Sequence, residues 1–227
     1  AEVCSAARWR DMAVDCIREE GAKGRLPIVC GGTGLYLKAL SEGLSPMPEV
    51  PEEVREAVRS RMAEIGSVAL HGELETVDPE MAERLNPTDP QRIARAMEVI
   101  RATGRSLADW QRDPPEGPPR GMKFHIFALV PPRDVLYARC DKRFRLMLEE
   151  GAMAEVENLM QRNLPRACPV MRALGVPELM AVISGEISLE EAENKACTAT
   201  RRYAKRQNTW IRNQIISKNI EIEKYSE

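Results

Sequence analysis

Histidine is scarce in these 227 residues: His71 and His125 are the only two. Neither has a partner set that would make a His-based metal site, and both fit structural roles. Six cysteines stand at positions 4, 16, 30, 140, 168 and 197, with no C-x-x-C pair among them. That excludes a zinc ribbon or a thioredoxin-like site, and it fits reduced thiols in a reducing cytosol, with Cys30 and Cys140 in apolar patterns expected in a core. Aromatic residues make up only 4%, which argues against a sheet of base-stacking aromatics such as an RRM. No apolar run reaches the roughly 18 residues of a membrane span, and no signal peptide is visible. No G-x-x-x-x-G-K-[ST] phosphate loop occurs, and no serine lies in a G-x-S-x-G turn. The net charge is −2, so any nucleic-acid contact must come from a local basic patch.

What is present centres on Leu26 to Tyr36, where a short apolar run, Ile28 to Cys30, breaks into Gly31, Gly32, Thr33 and Gly34 before a helical pattern begins. Apolar strand, glycine turn and helix start is how an α/β protein brings backbone N–H groups to a ligand. The same pattern also fits a tight connection with no ligand. Periodicity predicts helices over 3–20, 35–42, 134–150, 152–162 and 177–184, and a long one from Ser188 through Trp210. Strands are predicted at 27–30 and 123–130. Pro-rich joints at 45–51 and 113–121 enclose a block with no strand signal, read as a helical subdomain over 46–119. Asp78-Pro79 and Asp89-Pro90 are helix starts inside it. Trp9, Trp110 and Trp210 fit packing roles, and Ser217 to Glu227 a polar, frayed end. The chain opens inside a helical pattern without an initiator Met, which suggests preceding residues.

Charge is patterned most clearly near the end. Lys195, Arg201, Arg202, Lys205, Arg206 and Arg212 occur between 195 and 212 with no acid among them. Arg201 and Lys205, and Arg202 and Arg206, form two rows at i,i+4 spacing. Unrelieved like charges at that spacing are mildly destabilising, so a polyanion is an attractive partner. A solvated helix face is the plainer reading. Gln91-Arg-Ile-Ala-Arg95 sets Arg92 and Arg95 opposite Ile93, again suited either to phosphates and base edges or to solvent.

Taken together, Pro27 to Leu40, Glu42-Gly-Leu-Ser-Pro46, Leu85 to Ile100 and Ala199 to Trp210 resemble, in order, the signatures of the tRNA dimethylallyltransferases (tRNA isopentenyltransferases). The resemblance runs from residue 1 to about 213. It implies an α/β fold, a P-loop NTPase-like core with a parallel sheet formed by 1–45 and 120–227, and an inserted all-helical subdomain at 46–119 that binds the anticodon stem-loop. It implies transfer of a dimethylallyl group from dimethylallyl diphosphate to N6 of the adenosine on the 3′ side of the anticodon. Magnesium at the diphosphate, nucleotide (ATP) binding by kinship with P-loop NTPases, a cytoplasmic setting and a monomer come with it as expectations.

The resemblance carries Thr33 as the catalytic-site residue that contacts the tRNA at the target nucleotide. Arg55, Gln91, Arg92, Ile93, Ala94, Arg95, Arg201, Arg202, Lys205 and Arg206 are carried as tRNA-binding residues, and Arg172 as the arginine facing the diphosphate. No metal ligand is carried over. The family's P-loop and its general-base Asp would precede residue 1, and Pro177 and Glu178 stand where some members have a second basic residue. The expectation is therefore an intact enzyme of this family, with the 227 residues alone inactive. A non-catalytic tRNA-binding fragment and a P-loop-like small-molecule kinase are the alternatives.

Overall fold

The computed structural model describes residues 4–166 and 168–215. The expectation for Ser217 to Glu227 lies outside them. In chain order the helices are α1 (Ala6–Ala22), α2 (Gly34–Ser41), α3 (Glu52–Val77), α4 (Pro79–Arg84), α5 (Pro90–Thr103), α6 (Leu107–Arg112), α7 (Arg133–Glu149), α8 (Ala152–Gln161), α9 (Val176–Ile183) and α10 (Leu189–Gln214), with a 3₁₀ turn at Pro169–Arg172. They divide into two compact units, Ala1–Leu37 with Lys123–Glu227, and Lys38–Met122. None of these helices is long and apolar enough to cross a membrane.

The expected parallel sheet is not there: among the described residues no strand forms, and the fold is helical. The segments at 27–30 and 123–130 are irregular instead. A strand, unlike a helix, closes its hydrogen bonds only with a neighbour, and no described segment pairs with either of these. Several of their large apolar side chains stay in solvent, with Ile28 79% and Phe127 72% exposed, while Ala128 is buried. Cys30 is exposed with them; of the described cysteines, Cys197 is the one in a core.

The unit at 38–122 packs α3 against α4 and α5, with α6 against α4 and α5. Val58, Leu70, Leu74, Ile93, Met97 and Val99 are wholly enclosed, each worth about 1.5–3 kcal/mol of burial. Asp89 starts α5 by accepting the Arg92 N–H at 3.2 Å, and Gly104 ends it in the left-handed region at φ +68°. Helix α3 breaks at Gly66 (φ +80°, ψ 171°). Beyond the break Glu73 turns back to accept Arg61 Nη2 at 2.6 Å and Arg101 Nη2 at 3.4 Å. A straight helix would hold residues 61 and 73 about 18 Å apart. His71 is buried, and its Nε2 meets the Ala82 carbonyl at 2.9 Å. Asp78 caps α4 and accepts the Ser106 hydroxyl at 2.9 Å. The ends of this unit are pinched together: the Glu116 N–H donates to the Leu44 carbonyl at 3.1 Å, and Gly43 (φ +83°) lies so close to Gly117 that a Cβ would stand 2.7 Å from its nitrogen.

In the other unit α10 packs on α7 and α9, and α8 on α7 and α9. Phe144, Ala152, Val156, Leu179, Ala196 and Cys197 form its core. Trp9 of α1 stacks on Tyr36 of α2, with ring centroids 4.7 Å apart.

Candidate nucleic-acid interface

Helix α10 is built as a two-faced rod. Ser188 caps it by accepting the Glu191 N–H at 3.1 Å, and Glu190 and Glu191 sit in the first turn where the helix dipole favours acids. Ala192, Ala196, Cys197, Thr200 and Ala204 form its buried stripe, small residues that let neighbouring helices approach closely. The opposite face carries the cations.

Those cations are not equivalent. Arg201 turns toward α7: its Nη1 donates to Asp141 at 2.6 Å, and its Nη2 to the Thr198 hydroxyl at 3.1 Å. A second bridge, Arg145 to Glu193 at 2.6 Å, ties the same two helices. Lys195 pairs with Glu191 at 2.7 Å. Arg202, Lys205 and Arg206 remain exposed, without an acidic partner among the described residues. The Arg206 guanidinium lies 5.3 Å from the centre of the Tyr203 ring. With Thr209, Trp210, Asn213 and Gln214, these cations line an open groove of about 540 Å³. Arg202 also borders a second groove, of about 710 Å³, whose wall includes Glu178, Glu190 and Glu191. Within the helix pair, burial and the nearby Asp141 carboxylate push the Cys197 thiol up.

The glycine turn is seated on this helix. A Cβ on Gly32 would fall on the Gln207 amide, and one on Gly34 would fall inside the Trp210 indole. Thr33 between them is exposed, and its carbonyl accepts the Tyr36 N–H at 3.0 Å and the Leu37 N–H at 3.2 Å, which starts α2. Thr33 and the cations flanking Gln207 therefore share one neighbourhood. Arg172 is exposed at the end of the 3₁₀ turn and lines neither groove.

The remaining residues belong to the unit at 38–122. Arg55 is half-buried and pairs with Glu52 at 3.4 Å. Gln91 and Arg92 are exposed at the start of α5, where Arg92 pairs with Asp89 at 3.4 Å. Arg95 pairs with Glu98 at 3.7 Å. Ile93 is 0% exposed and serves the core, with Ala94 packed partly against it. Among the described residues no group of three or more His, Cys, Asp or Glu side chains could hold a metal ion.

Two features escape a reading of the sequence. Asp141 neutralises Arg201 from sixty positions away, a pairing with no local signal. Gln207 and Trp210 brace the turn; the only signal is the missing side chains at 32 and 34.

The family model described as IPP transferase matches residues 1–214. The chain belongs to the IPP transferase family. Relatives in this family include the tRNA dimethylallyltransferase of Paramagnetospirillum magneticum, 50% identical over 226 residues, a match covering 100% of this chain and 71% of that protein. That of Rhodospirillum rubrum is 52% identical over 215 residues, covering 95% of this chain and 66% of its own length. Among solved structures, the full-length tRNA isopentenylpyrophosphate transferase of Bacillus halodurans aligns with a TM-score of 0.60 at 32% identity, over 98% of this chain and 68% of that one. A eukaryotic dimethylallyltransferase acting on tRNA aligns with a TM-score of 0.75 at 25% identity, over 98% and 57%.

Proposed function

We propose that this IPP transferase is a tRNA dimethylallyltransferase, acting on N6 of the adenosine 3′ to the anticodon with dimethylallyl diphosphate as donor. The observation that carries the reading is the trio Arg202, Lys205 and Arg206, exposed and without acidic partners among the described residues, beside the turn that bears Thr33. Three fixed cations on one helix face suit an RNA backbone, and the neighbouring hydroxyl suits a contact at the target nucleotide. The relatives' names point to the same substrate class.

In this reading the nitrogen N6 attacks the first carbon of the dimethylallyl group as the bond to the diphosphate oxygen breaks; the diphosphate leaves with that bond's electron pair, and N6 gives up one proton to the general-base Asp that the family resemblance implies, which is not among these residues. The protein's work is to hold the two reactants in line and to meet the departing negative charge. Arg172 is the residue assigned to the diphosphate. Arg201 contributes by holding α10 on α7 rather than by meeting RNA directly. The helical insertion at 46–119 takes the anticodon stem-loop through Arg55 and the exposed Gln91 and Arg92, with Arg95 behind them. Ile93 and Ala94 support that segment from the core side. Magnesium at the diphosphate belongs to the same reading, and no residue among these 227 is assigned to it. These 227 residues hold no phosphate loop, so on their own they bind tRNA without transferring the group.

Binding of a labelled anticodon stem-loop by the 227-residue chain, followed by anisotropy across a salt series, tests the reading. The expected result is affinity that falls steeply with salt, and no prenylated product when dimethylallyl diphosphate is added. Salt-independent binding refutes the RNA assignment, and product formation refutes the separation of binding from transfer.

A further inference from the structure

Gln207 and Trp210 lie three apart on α10, so both side chains present to one neighbour. That neighbour is the backbone of the glycine turn, where a Cβ would overlap the Gln207 amide at residue 32 and the rigid Trp210 indole at residue 34. Thr33 sits between those positions, and its carbonyl is fixed to the first turn of α2. Two residues further on, Tyr36 is stacked on Trp9. Thr33 is thus held by an indole below residue 34 and another against residue 36. Trp210 meanwhile lines the groove with Arg202, Lys205 and Arg206.

We infer that Trp210, with Gln207, is a positioning residue for Thr33: it seats the glycine turn on α10, so that the hydroxyl meeting the target nucleotide and the cations meeting the backbone keep one register. The inference rests on the tRNA reading above. Trp210 itself need not touch RNA. Its effect is to make discrimination at the target position depend on packing between two segments far apart in the chain.

The test compares the 227-residue chain bound to two anticodon stem-loops, one with adenosine at the target position and one abasic there. Wild type should favour the adenosine RNA by about tenfold, the value of one well-made polar contact. Thr33→Val should remove most of that ratio. Trp210→Ala should remove it to the same extent, and the double variant should lose no more than either single one. Trp210→Phe, which keeps an aromatic plate, should retain most of the ratio. The salt dependence should stay at the wild-type value throughout, since no charge changes. Should Trp210→Ala melt out, Gly34→Ala displaces the turn from the other side and should lose the same ratio with the helix intact.

Additive losses for Thr33→Val and Trp210→Ala overturn the proposal. So does a ratio abolished by Thr33→Val yet untouched by Trp210→Ala and Gly34→Ala, which leaves the tRNA reading standing. A wild-type ratio of one, with stem-loop binding retained, overturns the Thr33 assignment beneath it.

Discussion

Arg201 and Arg202 are adjacent, identical in chemistry and equally basic in any window of the sequence, yet the fold gives them different work. Arg201 is committed to Asp141 at 2.6 Å and to Thr198, while Arg202 faces solvent between two grooves. With Arg202 on the RNA backbone as proposed, its removal deletes one such contact and should lower the slope of log affinity against log salt by about 0.7–0.9. Between 50 and 200 mM salt, a fourfold range, one such contact corresponds to about threefold in affinity. The deficit of Arg202→Ala should therefore shrink by about threefold across that range. Arg201→Ala should leave the slope unchanged. Its penalty falls on folding instead: a half-buried charge-assisted bond is lost and Asp141 left behind, about 1–2 kcal/mol. Anisotropy titrations at four salt concentrations and urea melts of both variants separate these outcomes. If Arg201→Ala lowers the slope as much as Arg202→Ala, the α7 carboxylate does not neutralise it, and the division of labour along α10 is wrong.

Other perturbations have definite expectations. Gly66→Ala places a side chain at φ +80°, ψ 171°, a region nearly closed to other residues; space is open there, so backbone strain alone should lower stability by about 1–3 kcal/mol, read as a shifted urea midpoint. Cys197 is buried and its thiol is pushed up, so a maleimide reagent at neutral pH should label the exposed Cys4, Cys16 and Cys30 and spare Cys197 until the chain unfolds, as peptide mapping would show. The Arg105 guanidinium holds the Asp113 carboxyl below its usual range. That contribution is present above the ordinary carboxylate value of about 4 and is lost as pH falls through the lowered one, so Asp113→Asn should flatten the acid limb of the stability curve and leave its neutral plateau reduced. Equal acid limbs in variant and wild type would contradict this.

Helices were legible wherever one segment carried both its pattern and its punctuation. For α5 the Asp89-Pro90 start, the Ile93, Ala96, Met97 and Ile100 stripe and the Gly104 stop all lie within the element that they define. The segments at 27–30 and 123–130 have strand-like composition, but a strand is completed by its neighbour, and local sequence cannot supply one. The break at Gly66 was hidden because glycine is tolerated inside helical patterns and only its backbone angles reveal the turn. In the candidate site the charge of α10 could be read directly, whereas its distribution could not. Asp141 removes Arg201 from the free face, and Asp89 and Glu98 engage Arg92 and Arg95. Burial likewise divides Gln91 to Arg95: the residues that meet solvent and the one that fills the core alternate within a single turn.

The pinch between Leu44 and Glu116 has a consequence for how the chain assembles. One compact unit is continuous in sequence, while the other must join residues up to 37 with residues from 123 onward. Joining them across an unstructured 38–122 would require closing a long, disordered loop, whose entropy penalty grows by about 0.6 kcal/mol with each doubling of length. Once the intervening helices fold, their two ends meet, and the effective loop shrinks about sixfold, a saving of about 1.6 kcal/mol. The continuous unit can form from contacts local to itself while residues from 123 onward are still being synthesised. The order of folding is thus set in part by a single backbone hydrogen bond and a pair of glycines.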